Sequence, residues 1–182
     1  MALDPTLHGD YTIDPAHSRF GFVARHAMVT KVRGTFDEFT ATGHLDASDP
    51  SKSKIDVTID VASVDTGVEQ RDEHLRTNDF FDAPNHPKIT FTSTSIEPVD
   101  DANFRVTGDL KIKEVTKPVT FELELTGPVT DPWGNTRVGL EGSVEVNRKD
   151  WGVNWNTALE AGGVLVSEKV TLTFDVAATK DA

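Results

Sequence analysis

The chain has 182 residues, and its 18 lysines and arginines against 30 aspartates and glutamates give a formal net charge of −12. Such a charge repels nucleic acid and anionic lipid, so neither nucleic-acid binding nor lasting adsorption to a bilayer is expected, although transient membrane contact stays open. The sequence contains no cysteine, which excludes disulfides and thiolate metal sites. The length suits a single domain over residues 1–182.

The N-terminus differs from a secretory signal peptide. Its first residues, MALDP, place an acid where a signal peptide has positive charge followed by an apolar run. No stretch approaches the roughly 20 apolar residues that cross a bilayer. The sequence therefore predicts a soluble, cytoplasmic protein.

Alternation of apolar and polar residues predicts that most of the chain is β-strand. Ile55, Val57, Ile59 and Val61, for example, share one face of an extended segment. The predicted strands are residues 10–14, 17–27, 32–47, 53–64, 87–98, 103–114, 118–130, 136–147 and 166–178. Regular strands with hairpin-length turns are typical of an antiparallel sandwich or barrel, and the length of these strands favours a barrel.

The same alternation predicts which side chains face the interior, where they line a tunnel or fill it. These residues are Phe20, Phe22, Ile59, Phe91, Leu110, Phe121, Leu123, Leu140 and Phe174. Three aromatic residues from irregular segments complete the predicted tunnel: Phe80, Trp151 and Trp155.

The first irregular segment, residues 68–81, is predicted to form a short polar helix at the barrel mouth, because no β-branched residue occurs between Val68 and Thr77. Two interpretations of its cations stay open. They belong to a surface helix with weak ion pairs, or they bind the polar head of a ligand. In the second case the candidate head-group residues are Arg71, His74 and Arg76, joined by His17, Arg25 and His26.

The second irregular segment, residues 147–156, is too polar and too aromatic for a regular strand. Trp151 and Trp155 are predicted to plug the barrel end with their indole nitrogens hydrogen-bonded, although a plug residue can also line a ligand.

Sequence signals for catalysis and metal binding are missing. The six histidines form neither an HExxH nor an HxH pair, and GxSxG, GxGxxG and phosphate-loop motifs do not occur. The sequence therefore predicts neither an enzyme nor a metal site, and no cofactor apart from a bound ligand.

Several short motifs, in order from about residue 10 to 177, together resemble the YceI-like family. They are YTIDPAHS (11–18), GTF (34–36), RDEHLR (71–76), DFF (79–81), PKITF (87–91), VTGDL (106–110), VTKPV (115–119), NRKDWG (147–152) and NWN (154–156).

The resemblance implies an eight-stranded lipocalin-like barrel, formed by about residues 10–178 after an N-terminal extension, with an elongated apolar tunnel. It also implies that the tunnel binds a long isoprenoid, either a polyprenyl pyrophosphate or a quinone-type lipid, and that the protein carries or stores it. A homodimer is a further implication.

Two alternatives remain open. The barrel is an enzyme or enzyme accessory acting on an isoprenoid-derived substrate, or it is a structural barrel with a filled core. The chain departs from the family pattern where Tyr11 replaces a common tryptophan and where a signal peptide is expected.

Overall fold

The computed structural model describes residues 3–160 and 162–182. These residues form one α-helix, α1 (Glu69–Arg76), and eleven β-strands. The strands are β1 (Gly9–Ile13), β2 (Arg19–His26), β3 (Thr30–Phe36), β4 (Phe39–Leu45), β5 (Lys54–Asp60), β6 (Val64–Asp65), β7 (Lys88–Pro98), β8 (Asn103–Ile112), β9 (Val115–Thr130), β10 (Thr136–Asn147) and β11 (Lys169–Lys180).

Backbone pairing closes the strands into an antiparallel barrel. The ring runs β1, β4, β5, β7, β8, β9, β10 and β11, and β11 pairs with β1 again. Three positions of the ring are each formed by two consecutive strands, namely β1 with β2, β3 with β4, and β5 with β6. The second set of pairings follows from this, because β2 pairs with β11, β3 with β2, and β6 with β3. The predicted eight-stranded antiparallel barrel with one short helix is therefore confirmed, with three composite strands.

Two predicted strands, residues 32–47 and 53–64, are wrong as continuous strands. The first breaks at Asp37 and Glu38, whose backbone N–H groups donate to the carbonyl and the hydroxyl of Ser63, at 3.2 Å and 3.0 Å. The second breaks at a 3₁₀ turn that contains Ser63 itself. Each break lies where the strand changes its pairing partner. The alternation of residues within one strand does not reveal which strand it pairs with, so the sequence did not predict these breaks.

The two ends of the barrel carry different structures. The plug end is the end with residues 3–7 and the turns at 46–53, 99–102 and 131–135. The helix end is the end with the β2–β3 turn, α1, the β8–β9 turn and residues 147–168. Each end has its own buried cluster. The plug-end cluster contains Leu3, Leu7 and Tyr11, and the helix-end cluster contains Phe80, Trp151 and Val153.

Backbone pairing is interrupted differently at the two ends. At the plug end β7 extends past β5, so residues 93–98 pair with β8 alone. At the helix end neighbouring strands diverge from each other. Pairing of β9 with β10 stops at Leu123 and Gly142. Residues 115–122 then pair with β8 alone, and residues 143–147 with β11 alone. In the described chain β6 pairs with β3 and not with β7. The helix end is thus split into two sheets by a β9–β10 seam and a β6–β7 seam.

The two irregular segments occupy these seams. A 3₁₀ turn, Arg148–Trp151, lies at the β9–β10 seam, where the indole N–H of Trp151 donates to the Leu110 carbonyl at 2.9 Å. At the β6–β7 seam, α1 and residues 77–87 connect the two strands, and Phe80 belongs to the same buried cluster as Val64 and Ile89. The predicted short helix is therefore observed, and Trp151 is buried at the helix end with its indole nitrogen hydrogen-bonded, as predicted.

Candidate functional site

An apolar cavity of about 300 Å³ runs through the barrel from the plug-end cluster to the helix-end cluster. Its lining includes Tyr11 and Leu125 at the plug end, and Phe80 and Trp151 at the helix end. The volume is at the lower limit of the ~300–1,000 Å³ that ligand pockets usually have. Its walls are almost entirely aliphatic and aromatic, so it suits an elongated apolar molecule.

The structure places eleven of the twelve predicted tunnel residues along this cavity. They are Phe20, Phe22, Ile59, Phe80, Phe91, Leu110, Phe121, Leu123, Leu140, Trp151 and Phe174. The exception is Trp155, which packs instead against the rings of His74 and Phe80, with centroids 4.7 Å and 5.4 Å away. That these residues contact a ligand stays a prediction.

The burial of the inward aromatic residues distinguishes a tunnel from a filled core. Phe22, Phe91, Phe121 and Phe174 all line the cavity, yet each keeps part of its surface accessible. A filled core leaves no such accessible surface on inward rings, because protein interiors pack as densely as organic crystals. These rings therefore border open space.

Glycines in the wall make room for several of these rings. A methyl group on Gly34 would collide with the ring of Phe22, and one on Gly108 would collide with the ring of Phe91. Each ring thus occupies the volume of a missing side chain, against the wall instead of across the lumen. This arrangement keeps the tunnel open while the aromatic surface still packs against the sheet.

The predicted head-group cations on α1 make structural contacts instead of lining the cavity. Arg71 donates to the hydroxyl and the carbonyl of Thr66, at 2.6 Å and 2.7 Å. Arg76 donates to the carbonyls of Ala62 at 3.0 Å and Val64 at 3.3 Å. These bonds attach α1 to the chain on either side of β6.

His74, the third predicted cation of α1, belongs to a small aromatic group. Its Nε2 atom lies 2.8 Å from Oδ2 of Asp79, and its ring meets Phe80 and Trp155 edge to face. Like Arg71 and Arg76, it is absent from the cavity lining.

The other three predicted head-group residues lie elsewhere and do not line the cavity. His17 contacts Asp14 at 2.8 Å, beside the break between β1 and β2. Arg25 donates to the Val29 carbonyl at 3.2 Å, and the backbone of His26 bridges to Val166. The structure does not bring the six residues together, and their binding of a head group stays a prediction.

Arg148 is a cavity residue that the sequence analysis missed. Its side chain is 7% exposed, and it lies in the cavity lining at the helix end. The guanidinium donates to the carbonyls of Val153 at 2.6 Å, Ser167 at 2.8 Å and Val166 at 3.3 Å. Arg148 belongs to the NRKDWG motif (147–152). Its place directly after an alternating strand was the one sequence signal that could have indicated a side chain at the barrel interior.

The charge of Arg148 is only weakly compensated. Among the described residues its guanidinium makes no ion pair, because the nearby Glu168 binds Lys149 at 2.8 Å. Burial lowers the pKa of the Arg148 guanidinium, and the negative charge of Glu168 partly opposes this effect. Three carbonyl bonds use three of its five N–H donors, so the other two have no acceptor among the described residues.

No metal site or membrane-spanning helix is found in the part of the chain that the structure describes. No three His, Cys, Asp or Glu side chains there are grouped so that they could hold a metal ion. None of its helices is both long enough and apolar enough to cross a bilayer.

Sequence comparison links the chain to a family of bacterial proteins. A sequence model of the YceI-like domain matches residues 11–178. Protein YceI of Escherichia coli O17:K52:H18 is 40% identical over 146 residues, which are 79% of this chain and 76% of that protein. The UPF0312 protein SAS2572 of Staphylococcus aureus is 38% identical over 162 residues, covering 88% of this chain and 92% of that protein.

Solved structures with the same fold cover most of the chain. BcnA of Burkholderia cenocepacia has a TM-score of 0.79 at 26% identity, over 91% of this chain and 98% of that one. The YCEI protein of Campylobacter jejuni has a TM-score of 0.74 at 28% identity, over 87% and 90%. A polyisoprenoid binding domain from Saccharophagus degradans has a TM-score of 0.71 at 16% identity, over 94% and 98%, and shares the fold.

Proposed function

This chain belongs to the YceI-like family, and from that premise and the open cavity we propose that it binds a long-chain isoprenoid lipid in the barrel and carries or stores it. The ligand is a polyprenyl pyrophosphate or a quinone-type lipid. The polyisoprenoid binding domain from Saccharophagus degradans, whose fold matches this one, supports the ligand class by analogy.

The observation that carries the proposal is the row of inward phenylalanines that remain partly accessible along an apolar tunnel. Glycines positioned under two of these rings keep the lumen open. This arrangement argues against the alternative of a filled structural barrel, because a core without a ligand gains free energy from contacts that fill its centre.

The energetics favour a carrier that exchanges its ligand with membranes. Burying a prenyl chain from water gains about 0.8 kcal/mol per CH₂ group. A prenyl chain starts in a bilayer, however, where it is already buried, so most of that gain cancels on transfer. Tunnel shape and head-group contacts must then supply the selectivity, and the protein can hold the lipid in water yet return it to a membrane.

We place the head group at the helix end. Arg148 lies in the cavity there and keeps two N–H donors, which suit a phosphate oxygen or a quinone carbonyl. The cluster of Arg71, His74 and Arg76 is a secondary candidate, because its donors are already bonded within the protein.

Binding without catalysis is the simpler proposal for this tunnel. The polar residues that line it include Ser53 and His44. The Ser53 hydroxyl accepts a bond from the Asp46 N–H, and His44 Nδ1 lies 2.7 Å from Asp10 Oδ1, so these two side chains are not hydrogen-bonded to each other as a nucleophile and its base. An enzyme or enzyme accessory acting on an isoprenoid-derived substrate is the alternative, and turnover of a prenyl substrate by the purified protein would establish it.

Native mass spectrometry of gently purified protein tests the proposal. We expect a bound lipid of polyisoprenoid mass, and reloading of stripped protein by a long-chain ubiquinone or a polyprenyl pyrophosphate. Val144→Trp, which fills the cavity, should abolish loading. Ser143→Trp, on the exposed face of the same strand, should load normally. Equal loading of both variants, or no loading of the wild type, would overturn the proposal.

A further inference from the structure

The β2–β3 hairpin is positively charged in a strongly acidic protein. Residues 15–36 contain four of the 18 lysines and arginines and none of the 30 aspartates and glutamates. The cations are Arg19, Arg25, Lys31 and Arg33, and all four are exposed. None of them forms an ion pair with another described residue. Their charge is therefore available to an external partner.

The tip of this hairpin exposes apolar side chains. Met28 is 61% exposed and Val29 is 75% exposed. Ala27 and Met28 have φ angles of +50° and +65°, in the left-handed region where turns of this kind favour glycine or asparagine. A methionine at such a position adds backbone strain without contributing to the core, and strain of this kind is characteristic of functional sites.

The hairpin borders the cavity at the helix end. Its tip is fixed to the chain that closes the barrel there, because the Ala27 N–H donates to the Leu165 carbonyl at 2.7 Å. The next residue, Val166, lines the cavity and its carbonyl accepts a bond from Arg148. A partner that contacts the hairpin tip is therefore close to the cavity wall, because the tip residue Ala27 is bonded to Leu165 and the adjacent Val166 lines the cavity.

We propose that the β2–β3 hairpin docks the helix end of the barrel on an anionic lipid surface. Met28 and Val29 enter the interface between head groups and acyl chains, while Arg25, Lys31 and Arg33 contact the anionic head groups. This inference rests on the proposed function, because a lipid carrier must meet a membrane, and it names the part of the protein that does so.

The overall charge of −12 favours this orientation. An anionic surface repels most of the protein, but beyond a Debye length of about 8 Å that repulsion is screened. When the hairpin is in contact, its own charges dominate the interaction. Along the sequence the nearest acidic residues are Asp14 and Asp37, at the base of the hairpin. In the neighbouring strand Asp175 lies opposite Arg19, also at the base, and Glu168, which follows the Arg25 partner Ser167, is bound by Lys149. The acidic body thus disfavours the other approaches, which makes contact brief and directed.

Co-sedimentation of the full chain with lipid vesicles tests the inference. At low salt we expect binding to vesicles of equal parts phosphatidylglycerol and phosphatidylcholine, and none to phosphatidylcholine alone. Each cation near an anionic surface strengthens binding about fivefold, so Lys31→Gln with Arg33→Gln should weaken it ~25-fold. The matched pair Lys54→Gln with Arg105→Gln, exposed cations at the plug end, should leave it unchanged.

The apolar part has its own matched pair. Val29→Ser should reduce vesicle binding severalfold, and Val129→Ser, which is 61% exposed at the plug end, should not. Equal losses in hairpin and plug-end variants, or no vesicle binding by the wild type, would overturn the inference. So would hairpin-dependent binding of polyglutamate as tight as that of vesicles, because it would assign the hairpin to an acidic protein partner.

Lipid loading of the same variants separates this inference from the proposed function. Val29→Ser and the Lys31→Gln, Arg33→Gln pair should still contain lipid in native mass spectra, because none of these residues lines the cavity. Lipid loading without vesicle binding refutes the docking surface alone. Vesicle binding by a protein that never loads lipid refutes the proposed carrier and leaves the docking surface standing.

Discussion

The plug end and the helix end close the same barrel by different physical means. At the plug end β1 pairs with both β4 and β11 and so closes the ring, and Tyr11 donates its hydroxyl to the Leu7 carbonyl at 2.9 Å beneath a buried apolar cluster. At the helix end two seams interrupt the pairing, and only side chains and irregular turns cover the gaps. The barrel is therefore closed by strand pairing at the plug end, and by side chains and turns packed over the seams at the helix end.

The charges at the two ends differ in the same way. At the plug end Arg137 bridges Asp14 and Asp131, both at 2.7 Å, and joins two turns by ion pairs. At the helix end Arg148 joins its neighbours through carbonyl oxygens and keeps its positive charge without a carboxylate partner. Ion pairs therefore join the turns of the plug end, whereas under the proposed function the helix end holds a cation that can bind the polar head of a ligand.

The helix end also has a weaker cover. The N-cap residue of α1 is Val68, which makes no side-chain capping bond, and the helix has only eight residues. Isolated helices of that length are unstable in water, so tertiary contacts must hold α1 in place. Under the proposed function, the helix end is where a lipid enters and leaves.

The largest expected effect breaks the plug end. Leu123→Asp places a carboxylate among the plug-end core residues, where Leu123 is 6% exposed and no cation is near enough to pair with it in the described cluster. We expect a loss of about 4 kcal/mol in the free energy of unfolding. Urea denaturation measures this loss. Glu124→Asp, on the exposed face of β9, is the control, and wild-type stability of Leu123→Asp would contradict the inward assignment.

A smaller effect is expected at the helix end. Arg148→Met removes the donor of three carbonyl bonds, and we expect a loss of about 2 to 3 kcal/mol. Hydrogen exchange should accelerate around residues 153 and 165–167 and stay unchanged at the plug end. Lys117→Met, at an exposed lysine of the helix end without an ion pair among the described residues, serves as the control. Faster exchange at both ends would show that the ends are coupled.

The smallest effect concerns the response of the plug end to acid. Hydrogen bonding to Arg137 holds the pKa of Asp131 at about 2, below its usual 3.8, and also lowers the pKa of Asp14. Because folding lowers these pKa values, their stabilisation is present above pH 4 and is lost as the pH falls towards 2.

Arg137→Met should therefore flatten the pH dependence of the melting temperature between pH 4 and 2. The matched control is Arg105→Met, at an exposed arginine without an ion pair among the described residues. Identical slopes for wild type and Arg137→Met would mean that the bridge to Asp131 does not form in solution.

The features that depend on a single strand could be predicted from the sequence. Phe91, Phe121 and Phe174 line the cavity as alternation predicts, because the side-chain period of a strand is fixed by its own backbone. The irregular segments around α1 and Trp151 were also predictable, since each interrupts that period.

Features that depend on distant partners could not be predicted. The breaks at Asp37 and Ser63 exist because the partner strand changes, and the two seams exist because the pairing of β9 with β10 ends early. Arg148 was missed for the same reason, since its oxygen partners come from residues up to 19 positions away. The sequence left two interpretations of the α1 cations open for the same reason, since the carbonyls that accept bonds from Arg71 and Arg76 belong to Thr66, Ala62 and Val64, outside the helix.

The two seams have a kinetic consequence. Separating the two sheets at the helix end breaks contacts of Trp151, Phe80 and their neighbours, but no hydrogen bond of the β-ladder, because the ladder is already absent there. Under the proposed function, the residence time of a bound lipid is then decoupled from the stability of the fold. Substitutions at the seams should then change the rate at which the lipid enters and leaves, while the free energy of unfolding of the barrel stays nearly the same.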